Sequence, residues 1–254
     1  MIILAADVGA TESKLALFDF QNRRLQPLTE ETYPSRGYLA LEQLVEEFLE
    51  DKTERLHSHQ IDAACFGAAG PVIGNQCKTT NLPWTINVEL LRDTIGIKNV
   101  ILINDLEATG YGLPLLSKHE LASLQDGSPQ PDGHGALIAA GTGLGEALLF
   151  QQGNSFVPVA SEGGHSDFAP RDDLEVELLR YLLQQFDHVS YERVLSGPGL
   201  LAIYHFLHDS GHAEETTWSV RKLNQEEDPS ATISKLALAG ESTLCVKALE
   251  LFVS

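Results

Sequence analysis

Val100-Ile101-Leu102-Ile103-Asn104-Asp105 is the stretch whose reading decides the fold. Its four consecutive aliphatic residues predict a strand buried on both faces, and the run stops at an amide and a carboxylate before a helical segment, Leu106 to Leu116. That order puts a carboxylate at the carboxyl edge of a sheet, where open α/β sheets hold their ligands. An Asp placed there can accept a proton in a cleft. The plainer alternative is that Asn104 or Asp105 caps the following helix, since both residue types favour that position.

Upstream, Ile2 to Ala6 and Lys14 to Asp19 frame the small-residue turn Asp7-Val8-Gly9-Ala10-Thr11-Glu12-Ser13, which predicts a hairpin with Asn22 in the next turn. Such a turn can aim N–H groups at a phosphate while Asp7 holds a hydrated cation. A plain hairpin turn explains the same residues, and neither G-x-x-x-x-G-K-S/T nor G-x-G-x-x-G is present here. Leu41, Leu44, Val45 and Phe48 recur at helical spacing through Tyr38 to Leu56, the pattern of an amphipathic helix packed on a sheet. A strand, Ile61 to Phe66, leads through Gly67-Ala68-Ala69-Gly70-Pro71 to a hairpin arm at Val72 to Cys77. The loop Thr79-Thr80-Asn81-Leu82-Pro83-Trp84 either contacts a polyol or is a surface loop anchored by Trp84. A short helix, Val88 to Ile95, then delivers the chain to the strand at Val100 to Ile103.

Downstream, Gln125 to Gly135 carries Asp126-Gly127-Ser128-Pro129 and Pro131-Asp132-Gly133, a loop or domain joint. Ala136 to Ala140 and Glu146 to Phe150 flank Gly141-Thr142-Gly143-Leu144-Gly145, a second strand–turn–strand whose glycines permit close phosphate approach and positive φ. A nucleotide held between two related domains would take one such turn from each. After a turn at Gln152-Gly153-Asn154 and a strand at Phe156 to Val159, Ser161-Glu162-Gly163-Gly164-His165-Ser166-Asp167 predicts a shaped loop. It is suited to hydroxyl recognition, with metal ligation by Glu162, His165 and Asp167, or plain surface placement, as alternatives.

Asp172 to Phe186 predicts a helix with Leu174, Leu178, Leu179, Leu182 and Leu183 inward. In His188-Val189-Ser190-Tyr191-Glu192-Arg193-Val194-Leu195-Ser196-Gly197-Pro198-Gly199, Ser190 and Glu192 suit a helix start, and Gly197-Pro198-Gly199 separates that turn from a helix at Leu200 to Leu207. His205 and His208 fall on that helix's surface. Glu226-Glu227-Asp228 is a solvated acidic stretch, Ser230 starts two closing helices, and the last runs from Ser242 to Phe252.

Lys and Arg number 17 against 36 Asp and Glu, a net charge of −19 over 254 residues, which repels nucleic acid and anionic membrane. A phosphorylated ligand would have to be met by backbone N–H groups and a metal ion. The three cysteines, Cys65, Cys77 and Cys245, form no C-x-x-C pair, which argues against a disulfide framework or zinc site and fits a cytoplasmic protein. Asp7 breaks the first apolar run, so it predicts a strand and not a signal peptide.

Together these motifs resemble the bacterial ATP-dependent glucokinase family of the hexokinase and actin-like ATPase superfamily. The family's D-V-G-G-T-N is Asp7-Val8-Gly9-Ala10-Thr11-Glu12, its N-D is Asn104-Asp105, and its G-T-G-L-G is Gly141 to Gly145 unchanged. Its E-G-G-H-x-D-F-A-P and H-V-S-x-E-R-V-L-S-G-P-G are Glu162 to Pro170 and His188 to Gly199. The related repressor and kinase family with a cysteine-rich zinc motif is disfavoured, because those cysteines are missing.

The resemblance implies an α/β, actin-like or ribonuclease H-like fold of two domains with a cleft between them, residues 1–116 small and residues 117–254 larger. It implies that Asn104, Asp105, Glu162, His165 and Glu192 surround one glucose, with Asp105 as general base. ATP phosphates would lie on Gly9, Ala10 and Thr11 and on Gly141, Thr142, Gly143 and Gly145, with Asp7 on hydrated Mg²⁺. It implies a cytoplasmic homodimer that phosphorylates D-glucose to glucose 6-phosphate. The competing expectations are a sugar-binding module or regulator without phosphotransfer, and an actin-like scaffold that would not need the sugar motifs. Ala10-Thr11-Glu12 in place of Gly-Thr-Asn adds a methyl and a carboxylate at the phosphate turn. The family also continues past the equivalent of Ser254 with a glycine-rich adenosine motif. From both departures the expectation is weakened ATP binding, weak or absent kinase activity of these 254 residues, and a last helix exposing Leu244, Val246, Leu249 and Phe252.

Overall fold

A computed structural model describes residues 1–22, 24–53, 61–79, 82–128, 130, 132–153, 155–213, 223, 226 and 228–254. Thr80, Asn81, Asn154 and Glu227, and the end of the first expected helix beyond residue 53, lie outside the described residues. The chain folds into two compact units, residues 1–135 with 147–160, and residues 136–146 with 161–254. Each is thus assembled from two stretches, where the sequence reading divides the chain once, between 116 and 117.

The first unit is built on a five-stranded sheet of order β3-β2-β1-β4-β8. Strand β1 (Ile2–Val8) pairs antiparallel with β2 (Glu12–Gln21) and parallel with β4 (Ile61–Ala68), which in turn pairs parallel with β8 (Val100–Asn104). Leu4, Val8, Leu15, Leu17 and Phe66 fill one core with Leu41, Leu44, Val45 and Phe48 of helix α1 (Leu41–Thr53). Those four helix residues are all buried, as their spacing predicts. β3 (Arg24–Pro34), absent from the sequence reading, completes the sheet after a turn in which Asn22 takes a φ of 52°. Its residues are mostly exposed and polar, and an edge strand tolerates Pro27 in its ladder, so alternation gave no signal there.

β8 corrects the expectation of burial on both faces. It pairs with β4 at the end of the sheet's order, and Ile101 is 59% exposed. The helix that follows is also shorter than predicted: α3 covers Asp105–Gly112 and passes into a 3₁₀ turn at Leu113–Leu115. Helix α2 (Val88–Ile95) falls where its pattern puts it, with Asn87 Oδ1 accepting the Glu89 N–H at 2.8 Å and Gly96 closing it at a φ of 76°. The short strands β5 (Val72–Ile73), β6 (Gln76–Lys78) and β7 (Thr85–Asn87) form a separate sheet. Beside it Trp84 is buried, its Nε1–H donating to the Tyr38 carbonyl at 3.2 Å. Strands β9 (Gly135–Ala140), β10 (Leu144–Gln152) and β11 (Ser155–Ser161) form a third sheet of order β11-β10-β9.

The second unit gathers helices α4 (Asp173–Leu182), α5 (Gly197–Asp209), α6 (Pro229–Leu238) and α7 (Thr243–Val253) around Leu178, Leu182, Ile203, Phe206, Ile233, Leu236 and Leu244. Three details differ from expectation. α4 ends at Leu182, so Leu183 is not inward but 51% exposed. Gly197-Pro198-Gly199 does not precede α5 but forms its first turn, capped by Ser196 Oγ on the Gly199 N–H at 3.1 Å. α7 covers only part of its expected apolar stripe: Leu244 is fully buried, while Val246, Leu249 and Phe252 are partly buried on the same core, and Val246 and Leu249 line an open hollow with Val253, which is 75% exposed. His205 and His208 lie on the surface of α5, as expected.

Candidate active site

Parallel strands with matched ends bring their last residues to one edge. Val8 is in register with Ala68 and Ala68 with Asn104, so Asp7, Asn104 and Asp105 gather at the carboxyl edge of β1, β4 and β8. Asn104 caps α3: its Oδ1 accepts the Leu106 and Glu107 N–H groups at 3.0 and 3.3 Å, and its Nδ2 donates to the Gly70 carbonyl at 3.2 Å. Gly70 holds that carbonyl in place with a φ of 145°, where an added Cβ would meet the Lys78 carbonyl oxygen at 2.9 Å. The capping alternative therefore holds for Asn104. Asp105 begins the helix proper, half-buried, with Oδ1 accepting the Leu106 N–H at 2.9 Å.

Burial pushes the Asp105 carboxyl above the usual carboxylate range, the charge of Asp7 pushes it further, and hydrogen bonds from the Leu106 N–H and Asn104 pull it back. A carboxyl raised in this way is a better base than a solvated one. Asp7 is exposed, and its carboxylate acts on the charge of Asp105. A single exposed oxygen donor of this kind suits a hard cation that keeps its waters. Among the described residues no group of three or more His, Cys, Asp or Glu could hold a metal, so Glu162, His165 and Asp167 do not assemble as ligands.

The turn after Asp7 is tied down by residues that the sequence pattern did not single out. Ser35 Oγ donates to the Gly9 carbonyl at 2.7 Å and lies 2.9 Å from Ser13 Oγ, both serines being fully buried. The Ser35 N–H also donates to the Thr11 carbonyl at 2.9 Å, and the Gly9 N–H to the Glu12 carbonyl at 3.1 Å. Ala10 is half-buried and Thr11 exposed in this turn. No short-range pattern flags Ser35, because its partners are brought to it by the pairing of β2 with β3.

In the second unit, Glu162, His165 and Glu192 come together around the turn of Gly141 to Gly145. His165 Nε2 lies 3.8 Å from Glu162 Oε2 and its Nδ1 3.9 Å from Glu192 Oε1. A 3₁₀ turn, Gly163–His165, sets this spacing, and Gly164 passes so close to the Leu144 carbonyl that a Cβ would collide with it. Glu192 sits in a second 3₁₀ turn, Tyr191–Arg193, preceded by buried Ser190, whose side chain makes no cap bond. His165, His188, Ser190, Glu192 and Arg193 line a polar hollow of about 400 Å³. His188 Nε2 lies 2.5 Å from Asp167 Oδ1, and the Arg193 guanidinium rests 4.1 Å above the Phe186 ring.

The Gly141–Gly145 turn does not use positive φ; among the described residues that conformation falls on six other glycines and on Asn22 and Asn75. Close approach is what Gly143 supplies, since a Cβ there would lie 2.5 Å from Glu192 Oε2. Gly145 is already in β10, and the Gly141 N–H donates to the Gly143 carbonyl at 2.8 Å.

No helix among the described residues is long and apolar enough to cross a membrane. The glucokinase family model matches residues 4–254. The chain is 42% identical over 265 residues to a glucokinase of Nostoc sp. strain PCC 7120, covering 99% of this chain and 77% of that protein. It is 38% identical over 270 residues to a glucokinase of Synechocystis sp. strain PCC 6803, covering 98% and 76%. The crystal structure of a glucokinase from an Antarctic psychrotroph superposes with a TM-score of 0.76 at 29% identity, over 99% of this chain and 74% of that one. The glucokinase of Balamuthia mandrillaris, solved in complex with glucose, superposes at 0.71 with 22% identity, over 99% and 72%, and shows the fold alone. The actin-like fold expected from the motifs is the one these sugar kinases share. The chain belongs to the glucokinase family of ATP-dependent sugar kinases.

Proposed function

We propose that the protein transfers the γ-phosphoryl group of ATP to the primary hydroxyl of D-glucose, with Asp105 as the general base, giving glucose 6-phosphate and ADP. The observation that carries the base is the half-buried Asp105 carboxyl at the sheet's carboxyl edge, raised by burial and by the nearby charge of Asp7. A primary hydroxyl is a weak acid, so a positioned carboxylate that takes its proton as the oxygen attacks lowers the barrier. Asn104, Glu162, His165 and Glu192 accept from and donate to the remaining hydroxyls. A wrong epimer leaves some of these groups unpaired, which is the source of selectivity. The turns at Gly9 to Thr11 and Gly141 to Gly145 offer backbone N–H groups to the phosphates. Asp7 holds hydrated Mg²⁺, which when bound supplies positive charge to the transferring phosphoryl group. The reading includes a small domain of residues 1–116, a larger one of 117–254, and a cytoplasmic homodimer working in sugar breakdown.

The test is a coupled assay of ATP-dependent phosphorylation over glucose, mannose, fructose and N-acetylglucosamine, run beside calorimetric glucose binding. Glucose turnover would support the kinase reading, and His165→Ala and Glu192→Gln are expected to weaken glucose binding. Binding without turnover would make the protein a sugar-binding module instead, and unchanged glucose affinity in both variants would overturn the assignment of those residues.

A further inference from the structure

Glu192 has a second partner that hexose recognition does not require. Its Oε2 accepts the backbone N–H of Leu144, in the Gly141–Gly145 turn, at 3.0 Å. The carboxylate lies flat against that turn: a Cβ on Gly143 would sit 2.5 Å from Oε2 and 3.3 Å from Cδ. The other oxygen, Oε1, is the one that faces His165. The same segment grips the far end of the turn through the backbone, because the Gly197 N–H donates to the Gly141 carbonyl at 2.8 Å. Ser196 Oγ ties the two grips together by donating to the Glu192 carbonyl at 2.7 Å, and Ser230 Oγ braces the Gly197 carbonyl at 2.7 Å.

We infer that Glu192 is a positioning residue for the Gly141–Gly145 turn, one carboxylate serving hexose with one oxygen and the nucleotide-side turn with the other. The inference rests on the kinase reading for the identity of the two ligands. A charge-assisted N–H bond is stronger and more directional than a neutral one, so the carboxylate fixes where the Leu144 peptide points and hence the shape of the turn around Gly143. A hexose that donates to Oε1 holds the side chain in this rotamer and so holds the turn. Coupling of this kind is reciprocal: a phosphate ligand that selects the held turn also selects the Glu192 position that hexose needs. The arrangement further predicts a difference between two substitutions. Gln keeps an acceptor for the Leu144 N–H while weakening the bond to sugar, whereas Ala removes both.

The experiment measures, by calorimetry on the full chain, ADP affinity with Mg²⁺ and glucose affinity, each alone and in the presence of the other, and follows hydrogen exchange of the segment 141–147. Glu192→Ala is expected to weaken ADP binding roughly ten- to a hundredfold, the range set by loss of a hydrogen bond to a charged group. It should also remove the mutual strengthening of glucose and ADP, and accelerate exchange in 141–147. Glu192→Gln should lose glucose affinity yet keep ADP affinity and exchange protection. Gly143→Ala, which displaces the carboxylate from the opposite side with Glu192 intact, should reproduce the ADP loss. Wild-type ADP affinity, coupling and exchange in Glu192→Ala would overturn the inference while leaving the kinase reading standing. If the wild-type chain binds glucose but neither binds ADP nor turns over, the kinase reading fails. Exchange then decides alone: unchanged protection of 141–147 in Glu192→Ala overturns the link, and faster exchange upholds it.

Discussion

Gly67 tests whether packing beneath α3 sets the position of Asp105, the proposed base. It lies in β4, in register with Asp7 on one side and Ile103 on the other, one residue before the edge where Ala68 meets Asn104. Its φ is outside the left-handed region, so an alanine is conformationally allowed and any cost is one of contact. The added Cβ would stand 3.1 Å from Ala108 Cβ, 3.7 Å from the Ala6 carbonyl oxygen and 3.8 Å from the α-carbon of Asp105. Optimal carbon–carbon separation is about 3.5–4.0 Å, so only the approach to Ala108 is too close, and the first turn of α3 must give by a few tenths of an ångström.

One overpacked methyl of this size costs about 1 kcal/mol, the low end of what inserted methylenes cost, and lowers Tm by about 2–4 °C in a chain of this length. Because Asp105 moves with the turn, and a displacement of about 1 Å can cost about 10² in rate, Gly67→Ala should lower kcat by roughly tenfold or less. Glucose affinity should change little. Ala108→Gly removes the opposing methyl at a helix-propensity cost of up to about 1 kcal/mol. The double variant should therefore recover kcat but not all of the stability, a coupling that a double-mutant cycle isolates. Thermal melts and the coupled kinase assay on the four proteins decide the matter. If Gly67→Ala keeps wild-type kcat and Tm, or if the double variant is as slow as the single one, the packing argument is wrong.

Asp105→Asn should lower kcat by about 10²–10⁴-fold with a far smaller change in glucose affinity, and should also stabilise the fold at neutral pH. Burial raises the folded pKa of Asp105 above its unfolded value, so the ionised form costs stability, and the variant's advantage should vanish as pH falls below the unfolded carboxyl range near ~4. Melting both proteins between acid and neutral pH checks this, and an advantage that grows toward acid would contradict it. Glu175 has the opposite sign: it is buried, accepts from Arg171 Nη2 at 2.8 Å and the Arg171 N–H at 2.6 Å, and the guanidinium foremost among these holds its carboxyl below the usual range. Arg171→Met should lower Tm slightly at pH 7, the effect being limited by solvent screening because the Arg171 side chain is 64% exposed. That effect should shrink as pH falls through the depressed Glu175 pKa, and an equal loss of Tm at neutral and acid pH would count against the ion pair.

Much of the first unit was legible because its signals are local. The apolar spacing of Leu41, Leu44, Val45 and Phe48 specifies a buried helix face without reference to the rest of the chain, and Asn87 and Gly96 mark both ends of α2 with their own side-chain and backbone chemistry. What failed depended on partners distant in sequence. Whether Val100–Asn104 is central or at the edge is set by what pairs beyond it, and no property of four aliphatic residues encodes that. β3 escaped notice because an exposed edge strand needs no apolar alternation. The partial covering of α7 depends on α5 and α6 folding back onto it, so an apolar stripe alone could not tell which of its residues are buried.

The candidate residues of the two units differ in legibility for the same reason. Cap and base are alternatives in the sequence; the structure gives the cap to Asn104, which leaves Asp105 available for the role of base proposed above. A helix start needs an acceptor for its first free N–H groups, and Asn104 meets that need at Leu106 and Glu107. Asp105 is thereby not needed as the cap. It enters the helix as its first residue, where the positive end of the helix favours the ionised carboxylate while burial opposes it. A base that gives up and takes a proton within one reaction cycle needs such opposed influences, because either alone would hold it in one state. The adjacency of Asn and Asp after an aliphatic run thus encodes locally both the cap and the carboxylate proposed as base. The support of Glu192 on Leu144, 48 residues away, had no local counterpart and became visible only in three dimensions.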